Sequence, residues 1–228
     1  MGKSGRRPTL EVGARGWDHD AWVGRFYPDD LPAAWRLAYY ANEFPSVLVP
    51  AQQWQHVDPG EVAGWGADVP ERFVFFIEME IGASGRPRDP VRDWRTRLDP
   101  LKDQLGGVLV RTAHTDLDHE GLQALVAELV AEYRVWVEPP GAGEPPAWVE
   151  QTGAHWSWVG QQRLSGRSVL GLVEVAGERV GLRALRDLLQ GLLDAGVQAD
   201  EAHLIFAGDP PDIEALHQAI TIARLLGA

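Results

Sequence analysis

The stretch Phe73-Val-Phe-Phe-Ile-Glu-Met79 is a short apolar run of the kind typical of strands that are buried on both faces. Apolar residues then recur at the spacing of one helical face, at Val91, Trp94, Leu98, Leu101 and Leu105. A second apolar run, Gly107-Val-Leu-Val-Arg-Thr112, follows this predicted helix. Strand, helix and strand in this order predict two parallel strands joined by a crossover helix.

The same alternation continues in both directions along the chain. The predicted strands span residues 10–15, 46–51, 73–79, 107–112, 134–138, 155–159, 168–175 and 203–207. Further helices are predicted from apolar faces at residues 122–133, 182–192 and 213–223, and from aspartate and proline at 30–32 and 89–90. Asp212 is the predicted N-cap of the last helix, whereas Gly106 and Gly196 are predicted to end helices.

Eight strands that alternate with helices favour a closed barrel over an open sheet. We therefore predict the α/β class and a single TIM-like (β/α) barrel of about eight parallel strands. The barrel is expected to be distorted around strands five to seven, because residues 139–146 form a proline-rich loop and residues 161–167 are too few for a full helix. The alternative interpretation is a domain boundary at residues 139–146.

The composition limits the classes of function. The chain has 228 residues and a net charge of −12, which disfavours binding to nucleic acid. It has no cysteine, which excludes disulfides, thiolate nucleophiles and cysteine-bound metals. No apolar run reaches the ~20 residues of a membrane helix, and none follows the basic N-terminus as in a signal peptide. We expect a cytoplasmic protein without membrane contact, with a disordered basic tail at residues 1–8 and one domain at residues 9–228.

The N-terminal part of the chain carries a series of spaced motifs. They are Val12-Gly-Ala-Arg-Gly-Trp17, Trp22-Val-Gly-Arg-Phe-Tyr-Pro28, Leu31-Pro32 and Leu37-Ala-Tyr-Tyr-Ala41. In order and spacing they resemble the opening of the YecE-like family, also called domain of unknown function seventy-two. That opening reads Gly-Thr-Ser-Gly-Trp, Trp-x-Gly-x-Phe-Tyr-Pro, Leu-Pro and Tyr-Tyr-Ala. The resemblance implies a TIM-barrel-like fold and no established biochemical function.

The chain differs from this family at most polar positions near strand ends. In the second strand segment, the family's acid and amide are replaced by Leu48 and Pro50. Glu78 stands at the position of a family lysine and Arg111 at that of a glutamine, whereas Glu138 matches a family glutamate. The resemblance therefore implies a divergent member that keeps the scaffold and has lost or changed the ancestral activity.

Candidate site residues lie at the C-terminal ends of the predicted strands, where TIM barrels carry their active groups. They are Arg15, Gln52, Glu78, Arg111, Glu138, Glu174 and Asp209. Glu138 and Glu174 are the predicted catalytic pair, since two carboxylates in different environments can act as acid and base. The predicted ligand-binding residues are Arg15, Trp17, Glu78, Arg111 and Trp158.

Two of these roles follow from side-chain chemistry. The planar guanidinium of Arg111 could hold an anionic group by two parallel hydrogen bonds, as a fork. The ring of Trp17 or Trp158 could stack on a sugar ring. The alternative interpretation is a structural network in which arginines neutralise carboxylates that the fold cannot otherwise bury.

No cofactor or metal is predicted. The segment from His114 to Glu120 holds two histidines and three acids, which we interpret as a loop and a helix start with an aspartate N-cap rather than a metal site. The loop at residues 176–181 lies where many barrels bind phosphate, although its glycines alone are a weak signal. The sequence has no Walker, dinucleotide-binding or Gly-x-Ser-x-Gly motif.

We predict a protein that binds a small ligand or a partner, with the family's polar site residues largely replaced. The alternative is a hydrolase of glycosides or related esters that uses Glu138 and Glu174, and a third hypothesis is a metal-dependent phosphodiesterase with His114 as a further ligand. A hydrolase needs both carboxylates on one open pocket, roughly 5–10 Å apart, whereas a scaffold pairs them with Arg111 or Arg15. No pattern in the sequence specifies an oligomeric state.

Overall fold

The computed structural model describes residues 8–81, 91–112, 119–139, 147–159, 168–174, 181–195 and 199–228. Strands form within these ranges at all eight predicted places. They are β1 Thr9–Arg15, β2 Ser46–Val49, β3 Val74–Ile81, β4 Leu105–Thr112, β5 Val135–Val137, β6 His155–Trp156, β7 Ser168–Glu174 and β8 Glu201–Ala207.

Helices alternate with these strands. They are α1 Arg36–Glu43, α2 Ala51–Trp54, α3 Pro59–Ala67, α4 Val91–Leu98, α5 His119–Val130, α6 Trp148–Thr152, α7 Leu182–Ala195 and α8 Ile213–Leu225. Asp212 caps α8 as predicted, because its carboxylate accepts hydrogen bonds from the N–H groups of Glu214 and Ala215. The alternation of parallel strands and helices confirms the predicted TIM-barrel-like α/β class.

Several predicted boundaries differ from the structure or lie outside it. The helix predicted to start at Leu31-Pro32 starts later, because a short 3₁₀ turn at Ala33–Trp35 leads into α1. The predicted helix signals at residues 89–90 and at Gly196, and the segments 114–118, 140–146, 161–167 and 176–180, lie outside the described residues.

The described residues belong to two compact units. The first unit comprises the described parts of Met1–Ser46 and Trp158–Ala228, and its parallel strands lie in the order β7-β8-β1. The second unit comprises the described parts of Val47–Ser157, with most of β2 followed by β3, β4, β5 and β6 in chain order. The predicted tail at residues 1–8 and single domain at residues 9–228 stay predictions.

The prediction that Gly106 ends a helix is wrong, since Gly106 lies inside β4. The pairing of β3 with β4 shifts by one residue at this point, which makes Gly106 the extra residue of a β-bulge. A Cβ atom on Gly106 would lie 2.5 Å from Val74 Cγ1 and 2.7 Å from Phe76 Cε1. Glycine is therefore required for close packing here. A local sequence pattern does not distinguish a glycine needed for close packing from one that ends a helix.

Tyr40 of α1 lies at the centre of the aromatic core of the first unit. Its ring is parallel to that of Trp22, with centroids 6.3 Å apart, and it packs against Phe44. Its hydroxyl donates to the carbonyl of Ser46 at 2.9 Å and accepts from the N–H of Ala14 at 2.7 Å. Complete burial raises the pKa of this hydroxyl well above its ordinary value, so it keeps the proton that it donates.

We expect Tyr40→Phe to lower the free energy of unfolding by about 1–3 kcal/mol, because a buried N–H and a buried carbonyl each lose a partner. For a chain of this size the corresponding fall in Tm is roughly 3–10 °C, which a circular dichroism melt measures. Tyr39→Phe is the matched control, since Tyr39 is adjacent and only partly buried. An equal fall in Tm for both variants would contradict the role given to the Tyr40 hydroxyl.

Candidate functional site

The pairing of three strands brings predicted site residues together within the second unit. Glu80 of β3 lies opposite Arg111 of β4, and Glu78 lies two residues earlier on β3, so both glutamates share a face with Arg111. The N–H of Glu138, just after β5, donates to the carbonyl of Val110 at 2.9 Å and so continues the register beside Arg111. These side chains lie at the C-terminal ends of their strands, as predicted.

Arg111 connects two carboxylates, and we call Glu78, Arg111 and Glu138 the Glu-Arg-Glu cluster. Nε and Nη2 of Arg111 donate to the two carboxylate oxygens of Glu138 at 2.9 and 3.3 Å, which makes a bidentate pair. Nη1 of Arg111 lies 3.4 Å from Glu78 Oε2. The side chain of Glu78 is 2% exposed, whereas those of Arg111 and Glu138 are 24% and 23% exposed. Two of the three groups therefore reach solvent.

The charges of the cluster do not cancel. Burial alone would lower the pKa of Arg111, but the hydrogen bonds and charges of Glu138 and Glu78 outweigh it and raise this pKa. Arg111 is therefore a permanent cation between two glutamates. When all three groups are ionised, the cluster carries one net negative charge.

Two residues of α2 donate hydrogen bonds to β3 beside the cluster. Trp54 is completely buried, its Nε1–H donates to the carbonyl of Glu78 at 2.8 Å, and its ring makes an edge contact with Trp94. Gln52 donates through Nε2 to Glu80 Oε2 at 3.2 Å on the exposed side. Trp54 thus fixes the backbone of β3 where Glu78 enters the cluster.

Sequence reasoning missed some of these residues. It singled out Gln52 but not Glu80, it noted Trp54 only as a tryptophan near the end of a predicted strand, and it predicted neither α2 nor α3. Glu80 could have been found from Glu78, because residues two apart on a strand share a face. Asp58 followed by Pro59 at the start of α3 repeats the helix-start signal recognised elsewhere in the chain.

The other predicted site residues belong to the first unit. Arg15 ends β1 and Glu174 ends β7, where Glu174 is exposed, and Asp209 is exposed just after β8. Trp17 and Trp158 are 5% and 1% exposed, which leaves little ring surface for stacking on a ligand. The catalytic pairing of Glu174 with Glu138, and the binding roles of Arg15, Trp17 and Trp158, stay predictions.

His19 is a titratable residue that the sequence did not mark as informative. Its Nε2 donates to the carbonyl of Arg15 at 3.0 Å, and its ring lies 4.5 Å from that of Trp22. Burial lowers the pKa of His19, and this effect outweighs the hydrogen bond that His19 donates to the Arg15 carbonyl and the charge of Asp209, which raise it. Burial therefore favours the neutral form of His19.

Within the described ranges, no three histidine, aspartate or glutamate side chains are grouped in a way that could hold a metal ion. The segment 114–118 lies outside these ranges. The next two residues, His119 and Glu120, begin α5. None of the helices in the described part of the chain is long and apolar enough to cross a membrane.

Comparison with protein families identifies the group to which this sequence is related. Residues 11–141, more than half of the chain, match the family model described as "Protein of unknown function DUF72". The chain belongs to the DUF72 family. The resemblance to the YecE-like family inferred from the N-terminal motifs is thereby confirmed. No curated protein matches the sequence of this DUF72 protein significantly.

Solved structures of DUF72 proteins share the fold. A DUF72 protein from Thermotoga maritima has 15% identity and a TM-score of 0.72, and the match covers 96% of this chain and 100% of the other. One from Enterococcus faecalis has 15% identity and a TM-score of 0.69, with 94% and 95% covered. A D-psicose 3-epimerase structure determined in the presence of D-fructose has 9% identity and a TM-score of 0.54, with 95% and 98% covered. At these identities the likeness concerns the fold alone.

Proposed function

We propose that this DUF72 protein binds a small ligand at the Glu-Arg-Glu cluster and does not hydrolyse it with a pair of carboxylates. The observation that carries the proposal is the bidentate pair between Arg111 and Glu138. Both carboxylate oxygens of Glu138 already accept hydrogen bonds from a permanent cation. This pair holds Glu138 in one orientation beside a cation, and each of its oxygens keeps a lone pair that can accept a hydrogen bond from a ligand.

The charge of the cluster favours one class of ligand. The prediction that Arg111 holds an anionic group is not favoured, because its fork is occupied by Glu138. The excess negative charge and the carboxylate oxygens instead favour a ligand that donates hydrogen bonds. The proposed ligand is therefore a small molecule rich in hydroxyl or ammonium groups, such as a neutral sugar, a polyol or an amino sugar.

The hydrolase alternative has less support. It gives Glu138 and Glu174 the roles of acid and base, and it gives Trp17 or Trp158 the role of a stacking platform, although these two rings are only 5% and 1% exposed. Pairing with an arginine is the arrangement expected of a binding site or a structural network rather than of an acid-base pair. The cytoplasmic location, the single domain at residues 9–228 and the absence of nucleic-acid binding belong to this proposal as predictions from the sequence.

The proposal is tested by thermal-shift and calorimetric titration with three matched ligand sets: neutral monosaccharides and polyols, amino sugars, and sugar phosphates. A ligand at 100 times its Kd stabilises by about 2.7 kcal/mol, or roughly 5–10 °C in Tm for a chain of this size. We expect such a shift from a neutral or amine-bearing ligand and none from the corresponding phosphate. We also expect no turnover of nitrophenyl glycosides or esters.

Glu138→Gln tests the site because it keeps the shape of the side chain and removes its charge. We expect this variant to weaken binding at least tenfold, whereas Glu128→Gln, on the exposed face of α5, is expected to leave binding unchanged. A larger shift from phosphates than from neutral ligands would contradict the proposed ligand class. Hydrolysis that Glu138→Gln abolishes would instead support the hydrolase.

A further inference from the structure

Two exposed leucines of the first unit lie in the same groove. Leu182 of α7 is 60% exposed and Leu225 of α8 is 82% exposed, although large apolar side chains are otherwise mostly buried in the described residues. Both line a groove between α7 and α8 with a volume of about 860 Å³. Exposed apolar side chains that share one concave surface indicate an interaction site, whereas scattered ones do not.

The shape of this α7–α8 groove fits an elongated partner. Its lining follows α8 from Glu214 to Leu226, about 18 Å at the rise of an α-helix, and only the first turn of α7. His217, Thr221 and Leu225 are spaced four residues apart and form one stripe along α8. A surface of this length matches about three turns of a helix laid along it, and is longer than a compact metabolite requires.

The charge of the groove points to the character of the partner. Arg183 and Arg186 line it from α7, both are exposed, and they lie three residues apart on one helical face. Neither makes an ion pair within the described residues. Glu214 is the single acidic residue among the described residues of the lining, so the groove is locally basic in a chain of net charge −12.

We propose that the α7–α8 groove docks an acidic amphipathic helix of a partner protein. The apolar side chains of that helix pack against Leu182, Ile222 and Leu225. Its flanking carboxylates pair with Arg183 and Arg186. This is the helix-in-groove mode of recognition, in which apolar anchors supply affinity and flanking charges select the partner.

The experiment uses the full chain and a fluorescein-labelled synthetic helical peptide of about 14 residues, enough to span the groove. Leucines at intervals of three and four residues form its apolar face, and glutamates flank them. A second peptide carries lysine in place of every glutamate. Fluorescence anisotropy is expected to give at least tenfold tighter binding of the acidic peptide at low salt, and less difference as salt is raised.

Variants of the groove residues separate the contribution of charge to peptide binding from that of apolar contact. Arg183→Glu with Arg186→Glu is expected to invert the preference so that the lysine peptide binds more tightly. Leu225→Ser is expected to weaken binding of the acidic peptide at least fivefold. Arg224→Glu is the matched control, since Arg224 is exposed on α8 but does not line the groove, and it is expected to preserve the preference.

Two results would overturn the proposal. One is equal affinity for the acidic and lysine peptides, since the arginines would then not discriminate between acidic and basic partners. The other is a dimer in multi-angle light scattering that Leu225→Ser dissociates, because a second copy of the chain would then fill the groove. Loss of ligand binding at the Glu-Arg-Glu cluster would leave this proposal unaffected, because the groove shares no residue with the cluster.

Discussion

Gly13→Ala is expected to destabilise the protein by at least about 3 kcal/mol, because the added Cβ would collide with backbone that has no room to yield. An ideal Cβ on Gly13 would lie 2.2 Å from the carbonyl oxygen and 2.9 Å from the carbonyl carbon of Ser46. The same carbonyl accepts the hydrogen bond from Tyr40, so its displacement would also disturb the aromatic core. Urea denaturation followed by circular dichroism measures the loss.

Gly64→Ala is the matched control for this prediction. Gly64 lies within α3, and a Cβ there would meet nothing within 4 Å. Alanine is favoured over glycine inside a helix by about 0.5–1 kcal/mol, so this variant is expected to be slightly more stable than the parent protein. A Gly13→Ala protein as stable as the Gly64→Ala protein would show that β1 does not approach Ser46 this closely.

Arg111→Ala is expected to cost about 3 kcal/mol, because it removes the cation that pairs with Glu138 and with the buried carboxylate of Glu78. For a chain of this size the fall in Tm is roughly 6–12 °C. The variant is also expected to abolish binding of the hydroxyl- or ammonium-rich ligand, since Glu138 loses the fork that orients it. Thermal melts and calorimetric titration of the same preparation measure both effects.

Arg95→Ala is the control for Arg111→Ala. Arg95 of α4 forms an ion pair with Glu132, but its side chain is 61% exposed. Exposed pairs contribute about 0–1 kcal/mol, so a much smaller change in Tm is expected. Combining Arg111→Ala with Glu78→Gln should recover part of the lost stability, because the buried negative charge that Arg111 pairs with is then removed. A double variant that is less stable by the sum of both changes would contradict this account of the cluster.

Most strands were predictable because they contain short apolar runs that are buried in the fold. The pairing of Arg111 with Glu138 was not predictable in the same way, although both residues were named as site candidates. It depends on the register between β4 and β5, which no local pattern encodes. The sequence therefore left two interpretations of Arg111 open, binding of an anionic ligand and pairing with the carboxylates, and the structure shows the pair with Glu138.

Three features that the local sequence did not reveal have physical causes. Gly106 meets a packing requirement of the β3–β4 bulge, and glycine serves helix ends and close approaches alike. Trp17 and Trp158 lie beside strand ends in the sequence, but their burial is set by what packs over them in three dimensions. The hydroxyl bridge made by Tyr40 likewise joins residues that are far apart in the chain.

The first unit is made of two segments that lie far apart in the chain, and this has a consequence for synthesis on the ribosome. Thr9 of β1 pairs with Glu201 of β8, about 190 residues later, so this pairing can form only roughly 10–40 s after β1 is made, at 5–20 residues per second. The second unit is continuous from Val47 to Ser157 and can form during this delay. The edge of β1 that pairs with β8 stays open until β8 is made, and we expect the nascent chain to need chaperone protection there.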